Sequence, residues 1–146
     1  MALVQKIPTP IKPVQINQQN RTITLAYFEQ KSTVDYIGIV QGISICFDAK
    51  ETKAKSLPIA NIHKHQIEFM EDFTNQGGLS FLIVNFSTLN KYYLLPFDQL
   101  YKHWLIAENG GKKSISHKNF DNNLEINIIN QKYIHYLSTI KAYFNL

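Results

Sequence analysis

Residues 35–50 read DYIGIVQGISICFDAK, two runs rich in β-branched residues on either side of Gln41-Gly42. Ile43, Ile45 and Phe47 alternate with Ser44, Cys46 and Asp48, which is the period of a strand, and the composition suits a pleated, half-buried surface. The central pair predicts the turn of a β-hairpin. Asp35 and Asp48 then flank that hairpin, and Lys50 shares a strand face with Asp48. An apolar ribbon ordinarily keeps its acids at its ends, where water solvates them. The alternative is chemical: an acid on one strand and acid-x-lysine on its neighbour is what a metal-dependent phosphodiesterase needs. Magnesium prefers carboxylate and water oxygens in octahedral geometry, and a lysine beside it can orient the attacking water or stabilise charge on the phosphorane. As a bare pattern, Asp-x12-Asp-x-Lys is weak in a chain with 15 Lys and Arg.

The composition bounds the molecule. A chain of 146 residues fits one domain, spanning residues 1–146, and at that size roughly 68% of the unfolded chain's surface is buried. With 45% hydrophobic and 18% charged residues it reads as globular. No apolar run approaches the roughly 20 residues a membrane helix needs, and MALVQKIPTP lacks the apolar core of a signal peptide. The expectation is a cytoplasmic protein with no membrane partner. One cysteine excludes an internal disulfide framework and a Cys-based zinc site. Cys46 falls in the strand pattern, where small buried thiols are ordinary. The net charge of +4 is compatible with a polyanionic partner.

Pro8, Pro10 and Pro13 forbid a helix interior and suit an extended or edge-strand path. Thr22 to Phe28 alternates in the strand period, so residues 8–28 predict a projecting hairpin tipped by Asn20 and Arg21. Asn61 is the expected cap of a helix carrying Ile62, Phe69, Met70 and Phe73, which Gly77-Gly78 ends. LSFLIVNF, residues 79–86, is apolar almost throughout, as a strand covered on both faces is. KYYLLPF predicts another strand, and Asp98 the cap of a short helix reaching Trp104. ENGGKKSIS, residues 108–116, reads as a polar, mobile loop. Tyr133, Ile134, Leu137, Ile140, Tyr143 and Phe144 form the stripe of a terminal amphipathic helix.

The longer wording is more specific. STVDYIG, FDAKETKAKSLP and IHKHQIEFM, in that order and spacing, resemble the RecU family of Holliday junction resolvases, and the similarity runs from QKIPTP through the terminal helix. The resemblance implies an α/β fold of the PD-(D/E)xK type: a restriction-endonuclease-like core with a central mixed β-sheet flanked by helices and a projecting β-hairpin stalk. The family's Thr-x-Asp falls on Thr33 and Asp35, its acid-x-Lys on Asp48 and Lys50, and its helix glutamine on Gln66. By that resemblance Thr33, Asp35, Asp48 and Gln66 surround Mg2+, with Mn2+ a possible substitute, and Lys50 stabilises the transition state. The hairpin at 8–28 becomes a stalk that a homodimer inserts into the centre of four-way junction DNA. Two departures stand out. The family commonly writes Glu-Ala-Lys where this chain has Asp48-Ala49-Lys50, one methylene shorter in reach. It also begins with a further segment, including a helix carrying a glutamate, and this chain starts after that point; either the sequence is trimmed or it is a reduced homologue with altered activity.

Other polar residues divide between chemistry and solvation. His63 and His65, at i and i+2 on a helix, point about 200° apart and do not easily share one ion. Structural or DNA-facing roles suit them better. Glu51 lies on the strand face opposite Asp48. Lys53 and Lys55, just beyond the active strand, are placed for phosphate contact or for a solvated edge. Lys112 and Lys113 carry the same two readings, with the solvated loop favoured. The expected function is a metal-dependent endonuclease that resolves four-way junctions in recombination and repair. The alternatives are a junction-binding protein that does not cut and a restriction-like endonuclease of ordinary duplexes.

Overall fold

The computed structural model describes residues 2–28, 33–129 and 133–145. Eleven short strands and three α-helices alternate along them: β1 (Ala2–Lys6), β2 (Ile11–Asn17), β3 (Thr22–Phe28), β4 (Tyr36–Val40), β5 (Ile43–Thr52), β6 (Ser56–Pro58), α1 (Lys64–Asn75), β7 (Leu79–Phe86), β8 (Lys91–Pro96), α2 (Phe97–Glu108), β9 (Ser114–Ser116), β10 (Ile128–Ile129), β11 (Tyr133–Ile134) and α3 (Tyr136–Phe144). The central sheet has the order β1-β4-β5-β7-β8. It is mixed: β5 and β7 run parallel, and the other neighbours are antiparallel.

Each join has a local cause. The β4–β5 turn takes positive φ at both Gln41 (50°) and Gly42 (87°), the hand of turn that matches strand twist. A parallel pair cannot be joined by a tight turn, so α1 lies in the crossover from β5 to β7. β7 is the apolar run expected to be covered twice, and it is. Cys46, Leu82, Val84 and Phe86 pack on one face with Ile67 and Met70 of α1 and Leu100 of α2. Ile45, Phe47, Phe81 and Ile83 pack on the other with Ile140 of α3.

Four local expectations are corrected. Helix α1 begins at Lys64 with His63 as its N-cap, because Asn61 ends a 3-10 turn over Ile59–Asn61 that Pro58 initiates. Helix α2 begins at Phe97 after Pro96, placing Asp98 in its first turn instead of at the cap, and runs on to Glu108. An acid there still faces the positive end of the helix dipole. Residues 114–116, read as loop, are β9, which pairs with β6. The terminal helix starts at Tyr136, since Tyr133 and Ile134 pair with Ile129 and Ile128 in a two-stranded ribbon.

β2 and β3 pair as a hairpin over 11–28, and Pro8 and Pro10 belong to the connection from β1. Its turn closes with Arg21 at φ 51°, and register irregularities between Pro13 and Ile16 interrupt its ladder. Apolar side chains stand in solvent along it, Ile16 at 60% and Tyr27 at 63% exposure. Strand β1 was not foreseen. It pairs along β4 at the sheet edge, with Lys6 opposite Tyr36.

Candidate active site

The β4–β5 register sets Tyr36 against Phe47, so Asp35, just before Tyr36, and Asp48, just after Phe47, meet at the open end of the hairpin. The backbone N–H of Asp35 donates to Asp48 Oδ1 at 3.0 Å. Asp48 is 1% exposed, and a carboxylate so buried needs partners. Lys50, on the same strand face, supplies one, with Nζ 2.5 Å from Asp48 Oδ2. Gln66 supplies another, its Nε2 donating to the same oxygen at 3.0 Å.

Gln66 also ties the site to the helix. Its Oε1 accepts from Lys50 Nζ at 3.1 Å and from the His63 backbone N–H at 3.1 Å. Gln66 is the third helical residue, so the second bond is the reach-back half of a capping box. Two donors on one atom and an acceptor facing the other fix which end of the amide is oxygen. The amide thus turns its NH2 to Asp48 and its carbonyl to Lys50 and His63. Here Gln66 positions Asp48 and Lys50 against each other.

Asp35 bears the electrostatic cost. Burial raises its carboxyl pKa above the ordinary aspartate range, the like charge of Asp48 and a hydrogen bond to it raise it further, and Lys50 and Lys6 pull the other way. Lys6 is a functional candidate that sequence reading missed. The β1 register and an Ile7 N–H to Asp35 carbonyl bond of 2.7 Å carry it to this end of the sheet. The only sequence signal was the short apolar run Ala2–Val4 ahead of it.

Of the residues named from the sequence, Asp35, Asp48, Lys50 and Gln66 are therefore brought together. Thr33 is half-buried two residues before Asp35, and among the described residues no hydrogen bond joins it to the cluster. Ser32 of the STVDYIG signature lies outside the described residues. His63 sits off the helix, so the argument that separated it from His65 does not apply; the rings stack at 5.4 Å with planes 9° apart. Glu51 is exposed, as are Arg21 at the stalk tip, Lys53 and Lys55 between β5 and β6, and Lys112 and Lys113 before β9.

The donor set fits a hard divalent cation. It offers carboxylate oxygens, which magnesium and manganese prefer, from two acids close enough that the charge of Asp48 bears on Asp35. Among the described residues no three of His, Cys, Asp and Glu converge, so two carboxylates are what these residues contribute.

A mixed five-stranded sheet thus presents an acid at the start of one strand and an acid-x-lysine on the next, with a helix glutamine bonded to both members of that pair. The chain belongs to the RecU family, described as Recombination protein U, which matches residues 1–142. It is 41% identical over 150 residues to the Holliday junction resolvase RecU of Oenococcus oeni, covering 99% of this chain and 76% of that protein. It is 44% identical over 119 residues to that of Limosilactobacillus reuteri, covering 79% and 58%. The chain therefore spans three quarters of one relative's length and under two thirds of the other's. Among solved structures it is similar to Hjc of Archaeoglobus fulgidus, a Holliday junction resolvase, at TM-score 0.36 and 12% identity, covering 44% of this chain and 51% of that one.

Proposed function

We propose that this chain is a Holliday junction resolvase, a metal-dependent endonuclease that cuts phosphodiester bonds in four-way DNA junctions as a cytoplasmic homodimer. The observation that carries the reading is the convergence of Asp35, Asp48, Lys50 and Gln66 in a chain of this family. Asp35 and Asp48, with Thr33 and Gln66 as the further candidates, would hold Mg2+, or Mn2+ in its place. The metal supplies Lewis-acid polarisation of the phosphate and a more acidic water. Lys50 donates to a phosphate oxygen as charge develops there. Gln66 keeps Lys50 and Asp48 in register so that neither has to reorganise during reaction. Arg21, exposed in the turn of the hairpin, would enter the junction centre.

A junction-binding protein that does not cut is the second reading, favoured by the two-carboxylate count among the described residues. Magnesium-dependent nicking of a synthetic junction decides between them. Cutting by the wild type supports the nuclease; tight, junction-selective binding without cutting supports the silent binder. Equal affinity for linear duplex and junction contradicts both.

A further inference from the structure

The lysines beyond the active strand, which read as separate groups in the sequence, are assembled by the β6–β9 ribbon. Ser56 pairs with Ser116 and Pro58 with Ser114. The Lys55 carbonyl accepts from the His117 N–H at 3.0 Å, and His117 Nδ1 also bonds that carbonyl, at 3.1 Å. Lys53, Lys55, His117 and Lys118 therefore gather at one end of the ribbon. At the other end the Lys113 carbonyl accepts from the Ile59 N–H at 2.9 Å, which places Lys112 and Lys113 there.

Three features separate this from an ordinary solvated face. The backbone beneath the charges is tied down: Thr88 Oγ1 donates to the Lys53 carbonyl at 3.0 Å, Ser87 Oγ to the Thr52 carbonyl at 3.3 Å, and the His117 ring packs edge-on against Phe86. The five lysines are exposed, and among the described residues none has a carboxylate within 4.0 Å. Glu51, Glu108 and Asp121 are the acids nearest in sequence. Finally, the patch carries the whole positive balance, since ten Lys and Arg against 11 Asp and Glu remain without it.

We propose that the β6–β9 ribbon is a second DNA-binding surface, separate from the acidic site, which grips the phosphate backbone of a duplex arm through Lys53, Lys55 and Lys118 at one end and Lys112 and Lys113 at the other. The placement rests on the nuclease reading of the Asp48 site. Lys53 lies three residues beyond Lys50, about 10 Å at ~3.3 Å per residue, or roughly three base pairs of duplex rise at ~3.4 Å each. An arm leaving the reaction site along β5 meets the ribbon within its first turn.

The test is metal-free binding of a linear duplex and of a synthetic four-way junction over a salt series. With Lys55→Ala and Lys118→Ala combined, the slope of log affinity against log salt should become shallower by about 2 on both DNAs, near 0.9 for each phosphate no longer neutralised. The charge-preserving Lys55→Arg with Lys118→Arg should keep the wild-type slope. Lys112→Ala with Lys113→Ala, at the far end, carries the same expectation should the first pair fail to fold. A wild-type slope in a folded alanine variant overturns the proposal. Cleavage in magnesium is read separately: a wild type that never cuts, yet whose alanine variants bind with a shallower slope, supports the ribbon and sinks the nuclease reading alone.

Discussion

Asp48 cannot change without consequence in either direction, because three donors are aimed at a carboxylate that water does not reach. Asp48→Asn keeps the shape and removes the charge. It should lose metal binding by calorimetry, while metal-free junction binding stays equal or tightens slightly as repulsion of the phosphate falls. Lys50→Ala should instead keep metal affinity and slow cleavage by on the order of 10²-fold, about 3 kcal/mol of transition-state stabilisation. Asp35 makes a prediction about stability. Its folded pKa is raised, so the folded state holds the proton more tightly than the unfolded chain. Its ionisation therefore destabilises the metal-free protein as pH rises above the unfolded value of ~3.9 and through the folded one. Asp35→Asn should raise the metal-free Tm near neutral pH, with the gain over wild type vanishing below about pH 3.5. A gain independent of pH would place its cause in packing. Cys46 is inert by the same reasoning: fully buried, with its thiol pushed up to about 11, it should resist alkylation at pH 8 until the protein is unfolded.

At the scale of elements, the hairpin that carries the acids was legible because its period, turn pair and charge placement all agreed. β7 was legible because an eight-residue apolar run bounded by glycines and a polar turn has few other uses. Helix starts were less legible, since a cap depends on which residue leaves the extended path. Pro58 and Pro96 set those points through neighbours that sequence windows weigh lightly. β1 was missed because an edge strand of five residues is specified by what it lies against. That packing is testable at Gly38, where an added Cβ would collide with the Leu3 carbonyl oxygen and sit 2.9 Å from Val4 Cα. Gly38→Ala should destabilise by about 1–3 kcal/mol as β1 shifts, a fall in Tm of roughly 2–4 °C per kcal/mol for a chain of this size. An unchanged Tm would mean that β1 docks elsewhere. The stalk is largely apolar, with Lys12 and Arg21 its only charges. Replacing Gln18 to Arg21 by a Gly-Ser turn should leave folding intact and weaken junction binding more than duplex binding. Equal weakening of both would remove the stalk from junction selectivity.

For the whole molecule, the two apolar layers hold β5 between β4 and β7, and β5 runs from the acids toward the basic surface. Its middle carries Asp48 and Lys50, its partner strand delivers Asp35, and its far end leads into the basic ribbon. Asp35, Asp48 and Lys50 were readable in the sequence from residue type and spacing, and Gln66 only through the family resemblance. Their wiring was not. That Gln66 holds Asp48 by its NH2 while accepting from Lys50 follows from where α1 begins, which the sequence misplaced. The most direct measurement is cleavage of an end-labelled four-way junction in magnesium by the wild type and by Asp48→Asn, run beside a linear duplex of the same sequence. The wild type should leave paired nicks near the branch point and cut the duplex little or not at all, and Asp48→Asn should lose at least about 100-fold in rate. Cutting that survives undiminished in Asp48→Asn would contradict a reaction centred on this carboxylate.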